Sequence, residues 1–255
     1  MFESTLRTVL ESCGSARELF LRAEGTFTPN VLVSDTPLPV HTLNLMMGAS
    51  GRQLAARVVQ KCSQSLRRLD LHIKNRVTPT LPFLPHLSEL SLYMEMDIMA
   101  GGHDFISWFP FLDQHPTITR LSLCTRFTLT VQPSPNLLPN LQFLSATPAV
   151  IERLVPGRPV SYIRVGCPAI LAHGLPFHID TMLWPLRQPI VPMTSLEISI
   201  GSFLPSDCLI AIVQALPTLR EFILGASRYE VRQLFDGRRN SGLIGHRFLS
   251  RFRAC

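Results

Sequence analysis

The chain has no long apolar run, no paired cysteines and little charge. Its uninterrupted apolar stretches, such as Leu209–Val213, fall far short of the roughly 18 residues a membrane-spanning helix needs. Cys13, Cys62, Cys124, Cys167, Cys208 and Cys255 stand singly, with no C-x-x-C pair, which speaks against a disulfide framework or a paired-cysteine metal site. No Asn-x-Ser/Thr acceptor occurs, and Glu3, Arg7 and Glu11 interrupt the first apolar pattern, so the uncharged core of a secretory signal is missing. These absences predict an intracellular protein, cytoplasmic or nuclear, with no membrane partner. Charged residues make up only 16% of the chain against 46% hydrophobic, a balance that fills a core and does not suit a disordered chain.

The positive charge is not general either. Residues 226–255 carry Arg228, Arg232, Arg238, Arg239, Arg247, Arg251 and Arg253 against Glu230 and Asp236, a net +5 of the chain's +6. The basic character belongs to the C-terminal segment. Ser227-Arg228-Tyr229-Glu230 has capping-box spacing, so 226–255 reads as a basic helix and tail. Such a tail offers an alternative function, binding nucleic acid or an acidic partner through counterion release, although a solvated terminus is the commoner outcome.

What the chain has in abundance is the phrase x-x-Leu-x-Leu. Its apolar centres are Leu19/Leu21, Leu43/Leu45, Leu69/Leu71, Leu90/Leu92, Leu121/Leu123, Leu144/Ala146, Ile163/Val165, Leu196/Ile198 and Phe222/Leu224. They return about every 25 residues, inside the roughly 20–29 of leucine-rich repeats. Two apolar residues two positions apart point to one face of a strand, and no single repeat can bury them alone, so neighbours must stack. The 21 prolines sit between the blocks, as Pro133, Pro135 and Pro139 do, and punctuate the return paths.

The expected fold is therefore α/β: an irregular leucine-rich-repeat solenoid, a horseshoe with parallel strands on its concave face and helices and loops on its convex face. The solenoid spans 1–225 and is capped by an N-terminal helix over Ser4–Cys13. Return helices are expected over Gly51–Gln64 with Ser50 as N-cap, over Asp104–Gln114, over Pro148–Leu154 with Pro at its first position, and over Cys208–Leu216. The position three after the second leucine, where the best-known repeats carry Asn or Cys, holds Gly48, Lys74, Glu95 and Arg126; a side-chain ladder at that position is not expected.

Leu138-Pro-Asn-Leu-Gln-Phe-Leu-Ser-Ala146, Val155-Pro-Gly-Arg-Pro-Val160, Val191-Pro-Met-Thr-Ser-Leu-Glu-Ile-Ser-Ile200 and Leu216-Pro-Thr-Leu-Arg-Glu-Phe-Ile-Leu224 resemble the repeat region of fungal F-box-type proteins. The resemblance covers about residues 60–225. In that family the F-box docks on a Skp-type adaptor of a cullin ubiquitin ligase and the repeats hold the substrate. Met1–Arg52 has no match to an F-box, so the resemblance implies substrate holding and leaves the adaptor link without support. It implies no catalytic residue.

Candidate chemistry is sparse. Cys167, His173 and His178 lack the paired spacing of a zinc site. Gly48-Ala49-Ser50-Gly51 lacks the glycine two after the serine of a nucleophile elbow. Gly101-Gly102-His103-Asp104 has no lysine at phosphate-loop spacing. Glu95 and Asp97 have no acid–base partner, and nothing activates Cys124. No enzyme, cofactor or metal is expected. The candidate binding surface is the outward face of the strands: Arg68, Asp70 and His72; Glu89 and Tyr93; Arg120; Tyr162 and Arg164; Glu197. This mixture of Arg, Tyr, His and carboxylates suits an unidentified protein ligand.

Overall fold

The computed structural model describes residues 16–23, 37–47, 52–73, 80–94, 103–123, 127–166, 179–200, 206–226 and 249–253. The N-terminal helix expected over Ser4–Cys13, the Ser50 cap, the metal candidates Cys167, His173 and His178, and the post-leucine positions 48, 74, 95 and 126 lie outside them, as does Cys124. Among the described residues no helix is long and apolar enough to cross a membrane. The chain forms two compact units, 1–122 with 136–140, and 123–135 with 141–255.

In the first unit the strands are β1 (Glu18–Ala23), β2 (Thr42–Met47), β3 (Arg68–Ile73), β4 (Glu89–Met94), β5 (His103–Asp104) and β6 (Arg120–Leu123), the last residue of which falls in the second unit. β1 to β4 are parallel and in exact sequence order, with Leu19, Leu43, Leu69 and Leu90 opposite one another. β6 follows β4 in the sheet. The leucines fall inward as alternation requires: Leu43, Leu69, Leu71, Leu92 and Leu121 have no exposed surface. Fully burying each contributes about 1.5–3 kcal/mol.

The return path between β2 and β3 is helix α1 (Arg52–Cys62), whose Val58, Val59 and Cys62 close over the leucines with no exposure. Burial pushes the Cys62 thiol up to about 12, which makes it a packing group and not a nucleophile. The stretch expected as one helix after β5 instead divides into a 3-10 turn, Phe105–Trp108, and a short helix α2, Phe109–Asp113, with Pro110 in its first turn. Proline there is compatible with a helix start and not with a helix already under way.

The second unit holds β7 (Phe127–Thr128), β8 (Phe143–Ala146), α3 (Pro148–Leu154), β9 (Tyr162–Val165), α4 (Ile179–Leu186), β10 (Ser195–Ile200), α5 (Ser206–Ala215), β11 (Glu221–Ala226) and β12 (Leu249–Arg253). β8 to β11 are parallel, with Leu144, Ile163, Leu196 and Phe222 in register. Two features depart from expectation. Helix α4 was not foreseen, since Pro185 stands inside it. Residues 249–253 form β12, antiparallel to β11, where a basic helix and tail was expected; the capping-box residues 227–230 lie outside the described residues.

One device recurs at the start of the strands. The carbonyl two residues before the first inward residue accepts two consecutive N–H groups from the next repeat. Arg17 receives His41 and Thr42, His41 receives Arg67 and Arg68, Arg67 receives Ser88 and Glu89, and Ser88 receives Thr119 and Arg120. In the second unit Gln142 receives Ser161 and Tyr162, Ser161 receives Thr194 and Ser195, and Thr194 receives Arg220 and Glu221. Side chains add rungs. Ser65 Oγ donates to the carbonyls of Leu38 and Val40 at 2.9 Å, Thr117 Oγ1 to Leu87 at 2.7 Å and Thr218 Oγ1 to Met193 at 2.8 Å. All three donors stand four residues before the first inward residue of their strand. These repeats thus have a hydroxyl ladder before the strand. The residue that follows each donor adds a third apolar position per repeat, as buried Leu66 and Ile118 show.

His115, 1% exposed, ties α2 to the preceding connection. Its Nε2 accepts the Leu84 N–H at 2.9 Å, so Nδ1 carries the proton and donates to the Phe111 carbonyl. Burial holds its pKa below the ordinary 6.5, against the opposing pull of that carbonyl bond. Below pH 6.5 the unfolded chain takes up a proton that the folded one refuses. Stability is therefore complete above pH 6.5 and is lost as pH falls toward the lowered folded value. We expect the melting temperature to drop between pH 7.5 and 5. His115→Gln, which still accepts from Leu84 but does not titrate, should flatten that slope. An equal slope in both proteins would exclude this role.

Candidate functional site

Alternation along each strand puts every second side chain on the face away from the buried leucines, and strand register decides which of them meet. In the first unit Arg68 stands opposite Glu89 and His72 opposite Tyr93. Arg68 Nε donates to Asp70 Oδ2 at 3.1 Å, and its Nη1 lies 3.6 Å from Glu89 Oε2. Glu89 Oε1 is in turn 3.8 Å from Arg120 Nε. The carboxylate of Glu89 thus sits between two guanidinium groups on flanking strands.

The exposures within this row differ. The side chains of Arg68 and Arg120 are about half exposed, whereas Asp70 as a residue is only 8% exposed. Asp70 belongs to the floor of the face and the arginines to its rim. Next to Asp70 in register stands Asn44, whose buried Oδ1 receives no hydrogen bond. The rings of His72 and Tyr93 stack at 4.9 Å. Burial lowers the His72 pKa, with Asp70 opposing, so the imidazole is neutral at pH 7 and its contact with Tyr93 is a stack of two uncharged rings.

The second unit builds its own cluster. Arg164 and Glu197 are opposite in register, with Tyr162 one diagonal away. Glu197 Oε2 accepts both the Tyr162 hydroxyl at 2.9 Å and Arg164 Nε at 2.7 Å. The guanidinium lies 5.8 Å from the centre of the Phe143 ring, and that ring meets Tyr162 edge-on at 4.8 Å. Burial and the Glu197 carboxylate together hold the Tyr162 hydroxyl above its ordinary 10. Burial alone would lower Arg164, but its bond to Glu197 and that carboxylate's charge outweigh it and raise the value. The hydroxyl therefore keeps its proton and the guanidinium its charge.

The predicted residues thus fall into two groups: Arg68, Asp70, His72, Glu89, Tyr93 and Arg120 in one unit, and Tyr162, Arg164 and Glu197 in the other. Sequence reasoning missed Phe143 and Asn44. Phe143 carries a legible signal, because it precedes inward Leu144 and so faces outward, yet it is only 5% exposed. Asn44 is legible the same way, lying between Leu43 and Leu45.

In each cluster the acids are paired with the bases, Asp70 and Glu89 with Arg68 and Arg120, and Glu197 with Arg164. Among the described residues no three His, Cys, Asp or Glu side chains converge as metal ligands. What both clusters present is a polar, aromatic-bearing surface with its charges already fixed in place. Compared with protein-family models, with curated proteins and with solved structures, the chain matches none of them.

Proposed function

We propose that the chain is an irregular leucine-rich-repeat solenoid, and that the outward face of its parallel strands is the concave surface that holds a partner protein without catalysis. The observation that carries this reading is the repeated hydrogen-bond pattern at the strand starts. It aligns the outward residues of adjacent strands into rows, and rows of Arg, Tyr, His and carboxylate are the composition of protein interfaces. The reading extends to the substrate-receptor role of F-box-type ligases, which the repeat phrases support. The partner is a folded protein or segment that meets the rim arginines and Tyr93.

The test uses the full chain as bait. Tyr93→Ala combined with Arg120→Ala should reduce partner capture at least tenfold, since truncating an interface anchor typically costs 2 kcal/mol or more. The circular dichroism spectrum and melting temperature should barely change. Arg68 is better left in place, because removing it would strip the largely buried Asp70 of its ion pair and confound binding with stability. Undiminished capture by a folded double variant would reject the assignment.

A further inference from the structure

The cluster in the second unit has a feature that the one in the first lacks. Arg164 is anchored twice, by its Nε–H to Glu197 Oε2 at 2.7 Å and by Phe143 beneath its guanidinium at 5.8 Å. Glu197 is held as well, since the same oxygen accepts Tyr162. Among the described residues, the one close hydrogen bond of the Arg164 guanidinium is that from Nε, with the Tyr162 hydroxyl interacting beside it, and the side chain is 44% exposed. Arg68, by contrast, spends both Nε and Nη1 on the carboxylates around it.

A guanidinium bound along its Nε edge and stacked on a ring is a rigid fork whose terminal pair of nitrogens points away from its anchors. Two parallel N–H donors fit the two oxygens of one carboxylate. Because the fork is already held, binding does not have to freeze the long arginine side chain, an entropy that otherwise weakens surface ion pairs. Glu197 cannot itself fill the fork, because its contact is with Nε. A second carboxylate approaching from solvent meets a cation whose geometry is set.

We propose that Arg164 is a preset carboxylate-binding anchor, which takes the side chain of an aspartate or glutamate in an exposed segment of the partner protein. The inference rests on the reading of the outward face as a partner surface and names the chemistry that this part of it selects. Phe143 and Tyr162 are positioning residues. They hold Arg164 and Glu197 and need not touch the partner.

The experiment follows the arginine side-chain N–H signals of the isotopically labelled full chain by NMR. The Arg164 signal is identified by its loss in Arg164→Lys. The probe is a seven-residue capped peptide of Gly and Ser with one central Glu. It is compared with the same peptide carrying Gln, the same carrying phosphoserine, and sodium acetate. The Glu peptide should shift the Arg164 signal saturably, and the Gln peptide should leave it unmoved. Binding followed through neighbouring backbone amides should weaken at least tenfold in Arg164→Gln and about fivefold in Arg164→Lys, which keeps the charge but loses the paired donors. Tyr162→Phe frees the Glu197 oxygen without unfolding the strand and should weaken the Glu peptide twofold to threefold.

Several results would overturn the proposal. One is no saturable shift with the Glu peptide up to roughly 20 mM, enough to reveal a single weak ion pair. Another is an equal response to the Gln peptide. Acetate binding as tightly as the peptide would remove the assignment to a protein segment. A phosphoserine peptide more than tenfold tighter would replace the carboxylate by a phosphorylated partner. Loss of partner capture in the Tyr93/Arg120 double variant, together with a silent Arg164, leaves the face standing and removes this anchor. Intact capture with a responsive Arg164 does the reverse.

Discussion

Leu69→Asp should abolish the cooperative thermal transition of this protein. Leu69 has no exposed surface and lies in register between Leu43 and Leu90. The substitution loses about 1.5–3 kcal/mol of apolar burial. It also places a carboxylate among buried leucines, which costs several kcal/mol more whether the group stays charged or takes up a proton. The sum is comparable with the whole stability of about 5–15 kcal/mol of an ordinary domain. Leu121→Asp is expected to behave alike, because Leu121 is equally buried. Leu69→Met keeps volume and polarity and should cost under about 1.5 kcal/mol. Circular dichroism melts of the three variants decide the matter. A folded Leu69→Asp with a wild-type melt would mean that the leucine faces are not the core.

The second large effect is expected at Arg158, in the phrase Val155-Pro-Gly-Arg-Pro-Val160. Gly157 takes a φ of +73°, a backbone conformation open to glycine, although nothing lies within 4 Å of where a Cβ would be. That turn sends Arg158 inward, where it is 1% exposed. Its Nη1 donates to the carbonyls of Leu154 at 2.8 Å and Pro156 at 3.2 Å, and its Nη2 to Ser134 at 2.7 Å. The guanidinium thereby caps the end of α3 and ties it to the preceding return path. Burial pulls its pKa down to about 10, so it is still a cation at neutral pH.

Hydrogen bonds from a charged donor contribute about 1.5–3 kcal/mol each, and removing the donor leaves buried carbonyls unsatisfied. Against this stands the desolvation of the cation, which truncation relieves. Arg158→Ala should therefore cost about 3–4 kcal/mol, a fall in melting temperature of roughly 6–16 °C for a chain of this size. Arg158→Met fills the space but supplies no donor, and should recover only part of the loss. If Arg158→Met melts with the wild type, the carbonyl bonds contribute nothing net and the arginine is a space filler.

The strands were legible because alternation is local. Leu69-Asp70-Leu71 states in three residues which side is buried, and the observed registers match Leu19 with Leu43 and Leu196 with Phe222. The hydroxyl ladder was equally present in the phrases Pro116-Thr117-Ile118 and Pro217-Thr218-Leu219, but its meaning depends on a carbonyl in the previous repeat, about 25 residues away. Helix α4 escaped notice because Pro185 stands inside it and the exposed position of its last turn is Trp184, an apolar residue that hides the period. β12 escaped because it reverses direction and carries no paired leucines. At the site, alternation identifies the outward residues but not their partners. That Arg164 meets Glu197 while Arg68 meets Glu89 is set by register, which local pattern does not encode.

The doubled hydrogen bond at the carbonyls of Arg17, His41, Arg67, Ser88, Gln142, Ser161 and Thr194 fixes where each strand begins regardless of how long a path the chain took to arrive. A longer or shorter connection can then be accommodated without changing which residue opens the next strand or how far apart the outward side chains of neighbouring strands stand.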